Sequence, residues 1–217
     1  MEFWHLIGRG VDKRDVVLDD EDRVRFIHDL YVFNDANPTP NFILPGRHEN
    51  NRKRERLVDI HVFCLMKNHY HLLVSECAEG GISLFMRKLN MGYTKYFNEK
   101  YERSGALWQG KYRKVLIERD AHFLYIPFYI HLNPLDYVAP EWRDGKVKNV
   151  HKALESLLKY RWSSHLDYLG IRNFPSLLRR DVLGQFLGTR KDYEGVVADI
   201  IRNPDLAQGS ESLEYKN

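Results

Sequence analysis

The stretch LVDIHVFCLMKNHYHLLVS, residues 57–75, decides the fold. It holds two β-rich runs, LVDIHVFCLM (57–66) and HYHLLVS (69–75), with a turn-like MKN where they meet, a pattern that predicts an antiparallel hairpin. Strand side chains alternate, so residues two apart share a face. His69 and His71 therefore project side by side, while Tyr70 and Leu72 point the other way. Two imidazoles at that spacing can converge on one cation. Two half-exposed strand histidines satisfy the spacing equally well, and an isolated HxH does not choose between these readings.

Outward from the hairpin, FWHLIGRG (3–10) reads as a short strand ending at a glycine. LDDEDRVRFIHDLYVF (18–33) has an acidic start and apolar Val24, Ile27, Leu30 and Tyr31 at helical spacing. Residues 34–56 form a long polar loop closing on RKRER, either a solvated run or a phosphate contact. ISLFMRKLNMGYTKYFNEKY (82–101) reads as a long amphipathic helix with Leu84, Phe85, Leu89, Tyr93, Tyr96 and Phe97 in register. GALWQGKYRKVLIE (105–118) looks extended. Asp120 can cap a helix over 121–133 that Pro134 ends. Beyond Pro140, short helices are expected in 154–170 and 179–188 and another in 191–203, before a polar, frayed tail. No internal repeat is evident. The division expected is a core over 1–140 and a helical extension over 141–217.

The 217 residues carry a net charge of only +3, so bulk electrostatics does not argue for nucleic acid; the clustering of the cations does. Two cysteines, Cys64 and Cys77, are too few for a disulfide framework. No signal peptide is read at the start, and no run approaches the roughly 18 apolar residues of a membrane helix. A reducing, cytoplasmic setting without a membrane partner is the expectation.

A second element is FYIHLNP (128–134). Tyr129 and Asn133 are four apart and share a helix face. An amide oxygen is a reasonable hard ligand. A phenol one turn earlier becomes a useful nucleophile if a cation steadies its phenolate and polarises the electrophile. A core tyrosine and a C-capping asparagine fit the same spacing. Pro127, two residues before Tyr129, cannot donate to the Phe123 carbonyl, so the helix either starts near Pro127 or bends there. Tyr125, one turn earlier, is the fallback nucleophile; only Tyr129 has the YIxxN spacing.

HLIGRGVDKRDVVLDDEDRVRF, VFCLMKNHYHLLVS, KLNMGYTKYFN, GALWQGKYRKV, FYIHLNPL and YRWSSHLDYLG, taken in order over residues 3–170, resemble the single-tyrosine HUH transposases, in particular the REP-associated tyrosine transposases. The resemblance implies a small α+β fold, a central antiparallel sheet with helices packed on it (ferredoxin-like), followed by the extension. It implies that His69 and His71 are metal ligands, Asn133 the third, and Tyr129 the nucleophile. It implies Mg or Mn as the divalent ion, although paired imidazoles by themselves would suggest Zn or Mn. It implies attack on single-stranded DNA at palindromic hairpins through a 5′-phosphotyrosine intermediate, in a cytoplasmic, nucleoid-associated protein that is a monomer, with a homodimer as alternative. Absence of a nucleotide-binding glycine loop agrees with a reaction that needs no ATP.

Single-stranded DNA is held by cations along its backbone and aromatics under its bases. The candidates are Arg9, Lys13 and Arg14; Arg87, Lys88 and Lys95; and Trp108, Lys111, Arg113 and Lys114, with Tyr112 among them. Two other readings remain open: a domesticated hairpin-binding protein without cleavage, and a hydrolytic zinc enzyme that would need a third histidine from His61 or His131.

Overall fold

The computed structural model describes residues 1–37 and 54–203. Arg52 and Lys53 of the RKRER run and the polar tail lie outside the described residues. The elements are β1 (Trp4–Arg9), α1 (Asp20–Val32), β2 (Val58–Leu65), β3 (His69–Glu76), α2 (Gly81–Lys100), β4 (Arg113–Leu116), α3 (Asp120–Leu132), α4 (Val150–Lys159), α5 (His165–Tyr168), α6 (Asp181–Leu187) and α7 (Arg190–Arg202), with 3-10 turns at Asn133–Tyr137 and Pro140–Asp144. Among these residues no helix is long and apolar enough to cross a membrane.

The first six elements run β-α-β-β-α-β, and the sheet order is β2-β3-β1-β4, antiparallel throughout. This is a split βαβ arrangement, the ferredoxin-like α+β fold that the resemblance implies. The hairpin is as read: β3 follows β2 after a tight turn in which Met66 N–H donates to the His69 carbonyl.

Both faces of the sheet are covered. On one, Leu6, Tyr70, Leu72 and Val74 pack against Phe26 and Leu30 of α1 and Phe85, Leu89 and Tyr93 of α2. On the other, Val62, Cys64 and Leu73 pack with α3 and the helices after it. A bulge between Ile60 and Val62 lets β2 serve both. Before it, Val58 and Ile60 join the α1/α2 core; after it, Phe63 and Leu65 do, and Val62 and Cys64 turn to the α3 side.

Several local expectations need correction. Val24 is 46% exposed; Phe26 takes the buried place on α1, whose start is held by a capping box between Asp19 and Asp22. Of 105–118 only Arg113–Leu116 is strand, because Leu107 and Trp108 drop into the core ahead of it. Asp120 is the first helical residue of α3 and does not cap it. The helix does not begin near Pro127, which stands inside it. From Ile126 to Leu132 α3 is buried all round, wedged between sheet and extension.

The extension shares that core. Leu65 N–H donates to the Trp162 carbonyl and Ser164 N–H to the Phe63 carbonyl, so the segment before α5 covers the outer edge of β2. A buried polar chain ties α3 to α5 and α7: His131 Nε2 meets Ser164 Oγ at 2.7 Å, and Tyr193 OH lies 2.7 Å from His131 Nδ1 and 2.8 Å from His165 Nδ1.

Gly8 faces Tyr70 across the β1–β3 ladder, and a Cβ there would lie 2.3 Å from Tyr70 Cζ. The ring is pinned by its hydroxyl, which donates to Asn90 at 2.8 Å. Gly8→Ala is expected to destabilise the fold by about 1–3 kcal/mol through overpacking. Urea unfolding measures this; an unchanged midpoint would mean the Tyr70 ring can move aside.

Candidate active site

The face of the sheet that turns toward α3 carries His69 and His71, as strand alternation requires, with ring centroids 4.9 Å apart. His71 is almost fully buried. Its Nδ1 lies 2.9 Å from Nε2 of His5, a third histidine stacked on it at 5.1 Å. His5 was not among the residues singled out from sequence. It is two residues from Ile7, the β1 residue paired with His71, so it reaches His71 diagonally across the ladder. His-x-x-x-Arg alternation in β1 was visible in the chain; its adjacency to β3 was not.

Hydrogen bonds orient the pair. Asn68 Nδ2 donates to the Lys13 carbonyl, which turns its Oδ1 to His69 Nδ1 at 2.6 Å. An amide oxygen only accepts, so His69 Nδ1 carries the proton and Nε2 keeps a lone pair. His71 Nε2 is buried with no hydrogen-bond partner among the described residues.

Tyr129 of α3 packs edge-on to this group, its ring 5.8 Å from His71 and 6.1 Å from His5. It is only 2% exposed. Tyr125, the fallback, lies 6.3 Å from Tyr129, ring to ring, and is half-buried. Asn133 Nδ2 donates to the Tyr129 carbonyl at 2.7 Å, and Asn133 Oδ1 accepts from Arg143 Nη2 at 3.1 Å. Arg143, from the 3-10 turn Pro140–Asp144, is a residue that sequence reading missed. It carries no motif, and only the return of the chain over Tyr129 brings it in.

The electrostatics are one-sided. Burial and then Arg113 push His5 down to about 3. Burial, Arg9 and Arg143 push His69 down to about 3 as well. His71 is held well below its ordinary range by burial, then by His69, His5, Arg143 and Arg9. The imidazoles are thus neutral and able to offer lone pairs, and guanidinium groups stand around them.

The expected DNA-contact residues are divided by the topology. Arg9 pairs with His69 and Arg113 with Ile7, which puts both on the histidine face. Lys13, Arg14 and Lys111 are exposed. Arg87, Lys88 and Lys95 belong to α2, across the sheet from the histidines, a correction to grouping them with this site. Lys88 Nζ is spent on the Asp35 and Asn37 carbonyls, and Lys95 pairs with Glu99. Lys114 lies over Trp4, on the other face from Arg113. Trp108 is a core aromatic against Tyr70, Tyr93 and Phe26, its Nε1 donating to the Asn90 carbonyl, so its ring is not offered to a base.

Neither His61 nor His131, from which the zinc-hydrolase reading would draw its third ligand, is available. His61 uses Nδ1 on the Arg179 carbonyl and Nε2 on Ser75 Oγ. Both nitrogens of His131 are engaged by Ser164 and Tyr193. Among the described residues no three His, Cys, Asp or Glu side chains gather as a metal site. The ligand set expected from sequence contains two such residues and an amide. It fits a divalent ion on two observations: the partnerless His71 Nε2, and an Asn133 oxygen that has a second lone pair beyond the one given to Arg143.

Neutral imidazoles, His5 buried and His69 half-buried, give the stability a pH dependence. In the unfolded chain these histidines take up a proton near 6.5, and in the folded chain His5 and His69 do so only near 3. Between those values the unfolded state binds more protons, so their contribution is complete above pH 6.5 and is lost as pH falls toward 3. The expected slope is up to about 1.4 kcal/mol per pH unit for each such histidine. Urea unfolding across pH 8 to 5 checks this; equal stability at pH 7 and pH 5 would show that the imidazoles charge freely in the fold.

Residues 49–133 match a protein-family model described as "Transposase IS200 like". The sequence matches no curated protein. Among solved structures, one titled "Structure of the REP associates tyrosine transposase bound to a REP hairpin" is similar at 12% identity and a TM-score of 0.48, over 80% of this chain and 83% of that one. The family-model match supports the likeness read from the motifs over residues 49–133, the segment that includes His69, His71, Tyr129 and Asn133.

Proposed function

We propose that this protein cuts and rejoins single-stranded DNA at palindromic hairpins by transesterification through Tyr129. The observation that carries this reading is the meeting of Tyr129 with the His5–His71 pair on a sheet face ringed by Arg9, Arg113 and Arg143. A phenol, imidazole lone pairs and fixed cations suit a phosphodiester, whose negative charge becomes more concentrated during displacement.

In the proposed step the Tyr129 oxygen bonds to phosphorus and the bond to the 3′ oxygen breaks. The phenol proton is lost and the 3′ oxygen takes one up, leaving a 3′-hydroxyl and a 5′-phosphotyrosine. The ester bond is conserved, so reversal rejoins DNA without ATP. His69, His71 and Asn133 would hold Mg or Mn, which supplies charge neutralisation and polarisation at the phosphate when bound. His5 and Asn68 orient the imidazoles, in the way that outer partners fix ligand tautomers. Arg9, Lys13, Arg14, Lys111 and Arg113 would lead the strand to the site. The proposed organisation is a catalytic core over 1–140 with the extension over 141–217, acting as a monomer on cytoplasmic, nucleoid DNA.

One observation favours the alternative of a hairpin-binding protein that does not cut: Tyr129 is 2% exposed, so its oxygen must be uncovered before it can reach phosphorus. A denaturing gel with labelled hairpin DNA separates the two. Wild type with Mg or Mn is expected to give an adduct that survives detergent. Tyr129→Phe is expected to lose it completely while still binding the hairpin. Tight binding without an adduct in either metal would establish the alternative, and an adduct in the Phe variant would remove Tyr129 from its role.

Metal removal is a separate test. A chelator should abolish the adduct and leave most hairpin affinity, and added Mg or Mn should restore it. Cleavage that persists in excess chelator would defeat the metal assignment.

A further inference from the structure

Arg143 lies outside the matched segment, yet its position is defined by the site. Its Nη2 donates to Asn133 Oδ1 at 3.1 Å, and the guanidinium carbon is 5.4 Å from the centre of the Tyr129 ring, with a hydrogen bond between the two side chains.

The side chain is braced. Asp136 accepts from Arg143 Nε at 3.1 Å and from Nη2 at 2.8 Å, a fork held on both oxygens. Asp136 is itself fixed by Trp142 Nε1 at 2.7 Å, and the Trp142 ring underlies the guanidinium at 4.6 Å. A structural brace alone would need only Asp136. The remaining donors face the proposed nucleophile and the proposed ligand amide.

We infer that Arg143 is a further catalytic residue of this site: its guanidinium holds the Tyr129 phenol oxygen and meets the scissile phosphodiester beside it. This rests on the transesterification reading. As Tyr129 bonds to phosphorus and the 3′ oxygen departs with a proton, Arg143 donates hydrogen bonds to the phenol oxygen at the start and to the non-bridging oxygens as charge builds there. It neither gives up nor gains a proton. Arg suits the role because its planar fork stays charged and can serve two acceptors at once.

The test uses the full chain, a panel of imperfect-palindrome hairpins with and without a single-stranded flank spanning the scissile position, and the variants Arg143→Gln and Arg143→Lys. With saturating flanked hairpin, Arg143→Gln is expected to slow single-turnover adduct formation by about 100-fold or more, the scale of losing a preorganised charge-stabilising donor. Its thermal unfolding and its affinity for the bare hairpin should stay close to wild type. Arg143→Lys should recover part of the rate, and guanidinium ion added to Arg143→Gln should recover part as well, which a purely structural role would not allow. An adduct rate equal to wild type, or a rate lost only together with fold and bare-hairpin binding, overturns the inference.

A second arm does not depend on cutting. In a Tyr129→Phe background, the flank should raise hairpin affinity, and Arg143→Gln should remove most of that increment. If wild type forms no adduct at all, the cleavage reading fails by itself. The flank increment still decides Arg143: its loss keeps the residue in contact with the phosphate, and its persistence removes it.

Discussion

Because β3 is hydrogen-bonded on both sides and buried on both faces, its pleat sorts every side chain to one of two cores. Tyr70, Leu72 and Val74 go to the α1/α2 side; His69, His71 and Leu73 go to the α3 side. A one-residue slip would exchange the two sets, burying imidazoles against Phe26 and Phe85 and presenting Tyr70 to Tyr129. Pairing to β1 and β2 prevents that slip. Gly8 gives the Tyr70 ring its space in β1, and the bulge in β2 lets its apolar residues supply both cores. The site is therefore a consequence of the packing that holds the sheet.

The chemistry of that face follows from dehydration. Burial disfavours the protonated form of His5, His69 and His71, and arginines stand beside them. The outcome is a cluster of neutral nitrogen bases among arginines, and Asp136, a carboxylate beside it, is bound to Arg143. On the reading proposed above, such a surface would draw a phosphodiester and offer lone pairs to its metal ion.

The segment after α3 belongs to the same structure. It covers the edge of β2, encloses α3 on the side away from the sheet, and ties His131, two residues from Tyr129, into the chain of Ser164, Tyr193 and His165. A helix with a proline inside it is steadied in this way by neighbours on every side. The same segment brings Arg143 back over the tyrosine.

Much of this was legible in the sequence, for reasons that differ by residue. The hairpin, the shared face of His69 and His71, the apolar register of α2, and the one-turn spacing of Tyr129 and Asn133 follow from periodicities of two and about four residues, which are local. Motif order then pointed to a likeness to IS200-type transposases without any knowledge of contacts. His5, Arg143, the burial of Trp108 and the removal of Arg87, Lys88 and Lys95 to the far side of the sheet could not be read that way. Each depends on which strand lies beside which, or on which face a helix takes, and these are settled by how all the apolar faces can be buried together. Local spacing fixes where a side chain points relative to its own backbone; only packing between distant segments decides what it meets there.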